Sequence, residues 1–295
     1  MRVVVLCNSI SGRGIGRRSV EELAQRLTLS GHEAVLHDVR RGVARDDDLL
    51  AKLDGADALV IAGGDGTVHH AASLLLETSV PVVHFPTGTE NLFAREFGHM
   101  RDPSSIVRAL ETAACRRIDV GLCDSRPFLL MASVGFDSCI VERIASRRTG
   151  AISRWTYLRH AAAEFIQPRF VPLTVTIDGR ETIRGEPGMF IVANSRQYAA
   201  RLDPARSASM TDGEFDTLFL PMDSRLSILR RAVQVFSGRH VGGAGIPAVR
   251  GREVVIRPHA AVPLQLDGEH AGTLAPGTEV RCSIRRSALS VLTSG

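Results

Sequence analysis

A glycine-rich segment, Gly63-Gly64-Asp65-Gly66-Thr67, holds the residues of this chain that are best suited to phosphate chemistry. It follows the apolar run Ala58–Ala62 and precedes a helical pattern that begins at Val68. A glycine turn between a strand and a helix favours anion binding, because backbone N–H groups converge there and the helix dipole adds positive charge. Asp65 would repel a phosphate, so it is better suited to hold a ribose hydroxyl, to order the loop or to act through Mg²⁺. The alternative without function is a tight turn in which Thr67 caps the helix.

The next loop along the chain is Pro86-Thr87-Gly88-Thr89-Glu90-Asn91, directly after the strand candidate Val80–Phe85. The carboxyl ends of parallel strands meet at one edge of a sheet, so we expect this loop beside the first glycine loop. Thr87 and Glu90 have the spacing of a capping box, which would begin the following helix without any further function. The capping box does not account for three other residues of the loop: Gly88, Thr89 and Asn91.

A third loop, Asn8-Ser9-Ile10-Ser11-Gly12, follows the first apolar run, Arg2–Cys7. Its glycine spacing is not that of a dinucleotide-binding fingerprint, so the motif is weak alone. Small hydroxyl and amide side chains at a strand end can nevertheless bind phosphate or ribose. Three such loops on one edge of a sheet predict a nucleotide phosphate site.

Leu266-Asp267-Gly268-Glu269 contains the best candidates for catalytic carboxylates. Phosphoryl transfer to an alcohol needs a carboxylate that orients the attacking hydroxyl or accepts its proton. The alternative is a plain hairpin turn, because D-G steps also occur at Asp178-Gly179 and Asp212-Gly213.

Composition excludes several classes of protein and site. The chain has 295 residues, of which 44% are hydrophobic, and a formal net charge of +4. Its only lysine, Lys52, does not follow a glycine, so the lysine-containing phosphate loop of P-loop enzymes is absent. We expect a cytoplasmic protein without a transmembrane segment, because no run of about 18 apolar residues occurs. The five cysteines lack metal-site spacing and are expected to be buried thiols.

The elements that position these motifs change character near Asp119. The first part alternates strands and helices, which predicts a parallel sheet wound by helices. Predicted strands are Arg2–Cys7, Glu33–Asp38, Ala58–Ala62 and Val80–Phe85, and predicted helices are Ser19–Leu29, Asp47–Leu53, Val68–Glu77, Asn91–Phe97 and Pro103–Ala114. Strands dominate the second part: Phe128–Val134, Leu173–Ile177, Glu181–Arg184, Met189–Ala193, Phe215–Leu220, Glu253–Arg257, Val262–Leu266 and Val280–Ile284. We therefore predict an α/β domain over 1–122 and a β-rich domain over 123–285, with residues 286–295 as candidates to pack back on the first domain.

One helical segment, Leu226–Phe236, carries an apolar stripe beside arginines, formed by Leu226, Leu229, Val233 and Phe236. Such a stripe can contact a membrane surface. Packing against its own domain is the commoner use of a stripe of this kind, and it is the interpretation we prefer from the sequence.

In this order, the motifs resemble the catalytic domain of the diacylglycerol kinase family, which includes bacterial lipid kinases and the sphingosine and ceramide kinases. The resemblance runs over nearly the whole chain. It rests on Gly63–Thr67, on P-x-G-T-x-N from Pro86, on Asp119-x-Gly121, on Gly135-Phe136-Asp137, on Asp212-Gly213-x-Phe215-Asp216 and on Asp267-Gly268-Glu269.

The resemblance implies an α/β domain like that of NAD kinases, followed by a β-sandwich, with ATP bound between them. It implies ATP contacts from Asn8, Ser9, Ser11, Gly12, Gly63, Gly64, Asp65, Gly66, Thr67, His69, Gly88, Thr89 and Asn91. It assigns catalytic roles to Asp267 and Glu269, with Asp65 beside them, and it suggests a structural Mg²⁺ site at Ser209, Asp212 and Glu214. The acceptor would be diacylglycerol or a similar lipid alcohol at a membrane surface, which the protein would approach peripherally; nucleic acid is not an expected partner, and a homodimer is left open.

The main departure from the family follows the first glycine loop. After Val68 the family usually has Asn-Glu, whereas this chain has His69-His70. Two alternatives to an ATP-dependent lipid kinase therefore stay open. One is a kinase for a soluble alcohol, such as an NAD kinase. The other is a nucleotide-binding regulatory protein that has lost turnover.

Overall fold

The computed structural model describes residues 1–7, 15–39, 46–147, 154–198, 204–236 and 248–293. The chain forms two compact units, Met1–Ile118 with Ser287–Gly295, and Asp119–Arg286. The first boundary between the units lies after Ile118, four residues before the predicted boundary at residue 122. It falls inside a strand that runs from Cys115 to Cys123. Residues 287–295 belong to the first unit.

The first unit is an α/β structure. Its elements are β1 (Arg2–Cys7), α1 (Ile15–Leu29), β2 (Glu33–Asp38), α2 (Asp47–Leu53), β3 (Ala58–Gly63), α3 (Asp65–Leu75), β4 (Val82–Pro86), α4 (Leu92–Phe97), α5 (Pro103–Thr112) and the beginning of β5 (Cys115–Cys123). Strands β2, β1, β3 and β4 pair in that order. Their pairing is parallel, as the alternation of strands and helices predicts.

The core of this parallel sheet lies against α1 and α5. Alternate residues of the strands, such as Val3, Val5 and Val60, are fully buried there with Leu23 and Leu27 of α1. Successive side chains of a strand point to opposite faces, so the remaining strand residues serve the other face. Helices α3 and α4 pack on β3 and β4, which places the start of each helix at the carboxyl end of the preceding strand.

The second unit is the β-rich part. Its elements are β6 (Arg126–Phe128), β7 (Met131–Val134), α6 (Phe136–Ala145), α7 (Arg154–Ile166), β8 (Pro172–Ile177), β9 (Arg180–Ala193), β10 (Phe215–Pro221), α8 (Arg225–Phe236), β11 (Ala248–Gly251), β12 (Glu253–Pro258), β13 (Val262–Leu266), β14 (Glu269–Leu274) and β15 (Val280–Leu292). The last residues of β15 lie in the first unit, where Val291 pairs with Val82 of β4 in parallel.

The antiparallel strands form a sandwich with β9 in both layers. The first half of β9 pairs with β8, and its second half pairs with β7 and β10. Gly185, between the two halves, has a φ of 64°, a value that glycine adopts at little cost. One core fills the space between the layers, with Val175 and Val254 from one layer and Val192 and Leu264 from the other. The predicted fold class, an α/β domain followed by a β-sandwich, is confirmed.

Several boundaries differ from the sequence predictions. Helix α3 begins at Asp65 rather than Val68, and β9 joins two predicted strands. Strands β5, β11 and β14 were not predicted, because each carries charged or glycine residues that interrupt apolar alternation. The steps Asp178-Gly179 and Asp267-Gly268 form two-residue hairpin turns with positive φ at both residues, whereas Asp212 has no positive φ and precedes β10 in a loop.

Candidate functional site

The glycine loop after β3 leads directly into the first turn of α3. Gly64 is the N-cap of α3, and its carbonyl accepts hydrogen bonds from the N–H groups of Thr67 (2.9 Å) and Val68 (3.3 Å). Thr67 is therefore the third residue of the helix, and the interpretation of Thr67 as its cap is wrong. The Thr67 side chain is buried and packs on Gly63, where a Cβ would lie only 2.3 Å from the Thr67 hydroxyl oxygen.

The loop after β4 is closed by Asn91. Its side-chain oxygen accepts from the Gly88 N–H, and its amide group donates to the Gly88 carbonyl, both at 2.9 Å. Asn91 has a φ of 50° and is the N-cap of α4 without a side-chain capping bond. Asparagine tolerates this left-handed conformation better than most residues. The capping box considered for Thr87 and Glu90 does not form, because the N-cap of α4 is Asn91 and the helix begins at Leu92, two residues beyond Glu90.

The two glycine loops are in contact with each other. A Cβ on Gly88 would lie 2.6 Å from the Cα of Gly64 and 2.9 Å from the Asn91 side-chain oxygen. The N–H of Thr87 also donates to the carbonyl of Gly63 at 2.9 Å. The close approach of the two backbones therefore requires glycine at position 88 and leaves little room for a Cβ at position 64, where it would lie 3.2 Å from the Gly88 Cα. The loop after β3 and the loop after β4 therefore lie side by side. This confirms the prediction made from their positions after neighbouring parallel strands.

Asp65 connects the start of α3 with the start of α4. One of its carboxylate oxygens accepts from the N–H of Phe93, in the first turn of α4, at 3.1 Å. A carboxylate at a helix N-terminus satisfies an N–H group that lacks an intrahelical partner. Asp65 therefore orders the loop pair, which was one of the three roles considered for it from the sequence.

The remaining residues predicted for the phosphate site differ in their exposure to solvent. Gly64, Asp65, Gly66 and His69 are half-buried, and Gly88 and Thr89 are exposed. His69 lies on α3, one residue before the exposed His70. Asn8, Ser9, Ser11 and Gly12 lie outside the residues that the structure describes.

Two buried histidines form a chain of hydrogen bonds that begins at Gly63 in the first glycine loop. Nε2 of His84 donates to the Gly63 carbonyl at 2.9 Å, and the His84 N–H donates to Nδ1 of His99 at 3.3 Å. Nε2 of His99 in turn donates to the carbonyl of Leu292 at 2.6 Å. Burial lowers the pKa of both histidines to about 4, so both imidazoles are neutral at pH 7.

In the second unit, Asp267 is held by backbone N–H groups just before and at the first residue of β7. One carboxylate oxygen accepts from the N–H groups of Leu130 (2.7 Å) and Met131 (3.0 Å), and the other accepts from Leu129 (2.8 Å). The Asp267 N–H also donates to the Met131 carbonyl at 2.8 Å. This carboxylate fixes the hairpin turn between β13 and β14 on its neighbouring strand.

Glu269 is the first residue of β14, two positions after Asp267, and is half-buried. Gln265 also stabilises the turn between Asp267 and Glu269, because its side-chain oxygen accepts from the Gly268 N–H at 2.6 Å. Gln265 was missed from the sequence. The only available signal was an amide residue inside the apolar run Val262–Leu266, where burial requires that the amide be hydrogen-bonded.

Gln265 belongs to a buried polar network around Asp137. The amide group of Gln265 donates to the Ser133 hydroxyl (2.9 Å), which donates to Asp137 (2.9 Å). Tyr157 donates to the other Asp137 oxygen at 2.7 Å, and Tyr198 also hydrogen-bonds Asp137. Burial, together with the Asp137 carboxylate, raises the pKa of both tyrosines well above its usual value, so both hydroxyls keep their protons. The network joins α6 and α7 to the turn that carries Glu269.

The residues proposed for a Mg²⁺ site lie among arginines. The Arg250 guanidinium contacts Asp212 and Glu214 (3.4 Å), and its Nε lies 3.3 Å from the buried Asp216. Ser209 contacts the hydroxyl of Thr211 instead, at 3.2 Å. As arranged, Asp212 and Glu214 do not fit a divalent cation, because the guanidinium already neutralises the oxygens that a cation would need.

A different acidic group contains a histidine. Among the residues that the structure describes, the one set of three His, Cys, Asp or Glu side chains with ligand atoms within 4.8 Å is His37, Asp46 and Asp48. The Lys52 ammonium lies 3.1 Å from His37 and 3.2 Å from Asp48, and Asp46 caps α2 by accepting from the Leu49 N–H. This cluster is explained by helix capping and ion pairing.

Four cysteines are buried, as predicted, and Cys115 is exposed, which corrects the expectation for that residue. Cys115 is the first residue of β5, beside charged residues that are also exposed. None of the helices in the described parts of the chain has the length and apolar character needed to cross a bilayer.

Comparison with protein families gives two matches that together span most of the chain. Residues 2–123 match the diacylglycerol kinase catalytic domain. Residues 131–293 match the YegS C-terminal NAD kinase beta sandwich-like domain. A diacylglycerol kinase from Mycobacterium tuberculosis is 29% identical over 282 residues, which cover 92% of this chain and 89% of the relative. A diacylglycerol kinase from Bacillus subtilis is 26% identical, with 94% and 92% covered.

Solved structures show the same fold. A diacylglycerol kinase from Bacillus anthracis superposes with a TM-score of 0.74 at 16% identity, covering 99% of this chain and 96% of that chain. Yeast NADH kinase complexed with NADH superposes with a TM-score of 0.56 at 14% identity, covering 99% and 82%.

Proposed function

Because this chain belongs to the diacylglycerol kinase catalytic-domain family, we propose that it transfers the γ-phosphoryl group of ATP to a hydroxyl of diacylglycerol or a similar amphipathic alcohol. Membership of the family makes it a kinase, an enzyme that transfers phosphoryl groups. The choice of ATP and of a lipid acceptor belongs to our proposal. The names of the relatives from Mycobacterium tuberculosis and Bacillus subtilis support diacylglycerol as the acceptor.

The observation that carries the proposal is the contact between the two glycine loops at the N-terminus of α3. A Cβ on Gly88 would lie 2.6 Å from the Cα of Gly64, a Cβ on Gly64 would lie 3.2 Å from the Cα of Gly88, and Asp65 and Asn91 fix the two loops. The first N–H groups of an α-helix have no intrahelical acceptor, and the helix dipole adds positive charge at that end. Such a rigid, positively polarised edge fits the phosphates of a nucleotide.

For the acceptor hydroxyl, we assign the carboxylate of Glu269. A hydroxyl that attacks phosphorus must lose its proton, and a carboxylate within hydrogen-bond distance can orient the hydroxyl and accept that proton. Asp267 is less suited to this task, because three backbone N–H groups already occupy its oxygens. We propose that Asp267 and Gln265 position the turn from which Glu269 acts.

ATP is taken in this proposal as its Mg²⁺ complex, so the metal enters with the substrate. No step is assigned to a cation at Asp212 and Glu214, because Arg250 neutralises these two carboxylates. Asp212, Glu214 and Arg250 instead stabilise the loop before β10 and the short strand β11.

The test is a kinase assay with purified protein, radiolabelled ATP and a panel of acceptors in mixed micelles, followed by mass spectrometry of the product. We expect diacylglycerol or a related lipid alcohol to gain one phosphate. Glu269→Gln should lower kcat by at least about 100-fold, because general-base catalysis contributes roughly 10² to 10⁴ in rate. The free energy of unfolding should stay within about 0.5 kcal/mol of the parent value, as is usual for substitutions at a half-exposed surface site.

The control is Glu279→Gln, which removes the same charge from an exposed position of the same unit and should leave kcat unchanged. Full activity of Glu269→Gln would remove Glu269 from the mechanism. Phosphorylation of NAD or another soluble alcohol, with no lipid product, would replace the lipid acceptor by a soluble one. ATP binding in a calorimeter without turnover on any acceptor would support the regulatory alternative suggested by His69-His70.

A further inference from the structure

Three of the four residues of the apolar stripe of α8 are exposed rather than packed on their own unit. Leu226 is 75% exposed, and Leu229 and Val233 are also exposed. The residues of α8 that enter the core are Ile228 and, in part, Val235, on the opposite side of the helix. The preference for packing inferred from the sequence is therefore wrong for these three residues. Phe236 is the last residue of the helix, and its side chain is not among those that the structure describes.

Helix α7 repeats the same arrangement. Trp155 is 80% exposed, and Leu158, Ala162 and Ile166 follow it on the same exposed stripe. Residues at i, i+3 and i+7 share one face of a helix, and a further turn brings i+11 to that face. Thus Trp155, Leu158 and Ala162 on α7 have the spacing of Leu226, Leu229 and Val233 on α8.

The two helices are neighbours in the second unit. Helix α7 packs on α8, and the Arg225 guanidinium at the start of α8 donates to the carbonyl of Ile166 at the end of α7. We call the exposed residues Trp155, Leu158, Ala162, Ile166, Leu226, Leu229 and Val233 the apolar surface. Exposed groups of large apolar side chains on monomeric proteins commonly mark a surface that binds a partner.

The charge beside the apolar surface is positive. Each helix carries an exposed arginine four residues after the first member of its stripe, Arg159 on α7 and Arg230 on α8. Helix α8 contains three arginines and no acidic residue. The only acid of α7, Glu164, is buried and paired with Arg143 and Arg169. The basic side chains are therefore not neutralised by acids on their own helices.

We propose that α7 and α8 dock the protein on an anionic lipid bilayer, with the apolar surface in the interface and Arg159 and Arg230 at the headgroups. Helices with an apolar face, flanking arginines and an aromatic residue bind bilayers in this way, and tryptophan favours the interfacial region. Lipid phosphates complement the arginines. A second copy of the chain fits less well, because a symmetric pairing would bring the arginines of both copies together.

This inference deepens the proposed function, since a lipid acceptor resides in a bilayer, yet its test needs neither ATP nor an acceptor. The 295-residue protein is sedimented with phosphatidylcholine vesicles and with vesicles that also contain about one third phosphatidylglycerol. Binding should be at least about tenfold tighter to the phosphatidylglycerol vesicles. The variant Trp155→Ser/Leu226→Ser/Leu229→Ser should lose at least about tenfold in affinity, because apolar burial in the interface is removed.

Arg159→Gln and Arg230→Gln should each weaken binding to phosphatidylglycerol vesicles by about fivefold and leave the weak binding to phosphatidylcholine unchanged. The matched control is Leu29→Ser, which changes a leucine that is 80% exposed in the first unit. It should bind like the parent. Circular dichroism melting checks that each variant is folded, as expected for exposed positions.

Three results with vesicles would overturn the proposal. These are the absence of vesicle binding, equal binding of the parent protein to both vesicle types, and unchanged binding of the triple variant. A dimer of the parent protein in analytical ultracentrifugation that the triple substitution converts to a monomer would assign the surface to a second copy. A failed kinase assay would leave vesicle binding unaffected, so the two proposals can fail separately.

Discussion

At the scale of single residues, Asp267 and Asp178 have the same role: each stabilises a hairpin turn through hydrogen bonds from its carboxylate to backbone N–H groups. Each is the first residue of a two-residue D-G hairpin turn, with φ of 51° and 47°. Each places its carboxylate on backbone N–H groups of a different segment. Asp178 uses one oxygen, which accepts from Arg252 and Glu253 at 2.9 Å, whereas Asp267 uses both oxygens for three donors. The two turns therefore differ in how well an amide can replace the carboxylate.

Asp267→Asn should lower the free energy of unfolding by about 2 kcal/mol, because the new NH₂ group faces an N–H donor and leaves it without an acceptor. Asp178→Asn is the matched control and should cost less than about 1 kcal/mol, since the amide oxygen can keep both bonds. Urea unfolding followed by circular dichroism measures both values. Equal losses would show that the three bonds to Asp267 do not carry the stability assigned to them.

At the scale of elements, β4 supports the glycine loop through buried histidines. His84 is fully buried and lies between the Gly63 carbonyl and His99, which in turn contacts β15. A protonated imidazole would place a second N–H where His99 now accepts a bond, and it would put a charge in an apolar core. Strand β4, the loop after β3 and the end of β15 therefore depend on the neutral state of both rings.

The folded protein should lose stability as the pH falls from about 6.5 to 4. Both histidines have a folded pKa of about 4 against an ordinary value of 6.5. In that window the unfolded chain binds protons that the folded chain does not, so the stability is present above pH 6.5 and lost towards pH 4. Each histidine contributes up to roughly 3 kcal/mol to this loss. Urea unfolding at several pH values measures the slope.

The variant His84→Gln/His99→Gln removes both titrating groups and should give a flatter dependence on pH between 4 and 6.5. His70→Gln, at an exposed position on α3, serves as the control and should keep the parent slope. A double variant with the parent slope would assign the acid sensitivity to other groups.

At the scale of the whole molecule, the chain completes its first unit with its last residues. Strand β15 begins in the second unit and ends in the first, where Leu289, Val291 and Leu292 are buried. The Thr293 N–H donates to the Ala114 carbonyl at 2.8 Å, and the Leu292 carbonyl accepts from His99. The first unit is therefore built from both ends of the sequence, so a fragment that stops at the end of the first domain in sequence lacks one strand.

Removal of residues 287–295 should lower the melting temperature by at least about 10 °C, because three buried apolar side chains and the acceptor for His99 are lost. A chain that ends at Thr293 keeps every contact named above and should melt like the parent protein. Differential scanning calorimetry measures both, and limited proteolysis should cut the shortened chain first within residues 1–118. An unchanged melting temperature would show that β15 does not stabilise the first unit.

The sequence by itself determined the parallel sheet, the position of the glycine loops after β3 and β4, the β-sandwich and the family. These features depend on apolar periodicity and on glycine or D-G steps, which neighbouring residues in the chain encode. The tertiary structure decided what individual residues do. It showed that Gly88 leaves room for Gly64 in the neighbouring loop, that Asn91 rather than Thr87 closes the second loop, and that Asp267 binds backbone more than a hundred residues away.

The exposed stripe of α8 is a further feature that the sequence indicates but only the tertiary structure explains. Its periodicity is readable in the sequence, yet a stripe at helical spacing has the same pattern whether it faces a core or solvent. Only the packing of Ile228 and Val235 into the core of the second unit shows which face is turned inward. The physical reason is common to all these cases: local patterns set backbone conformation, whereas contacts between distant residues decide which polar groups are satisfied and which apolar ones stay exposed.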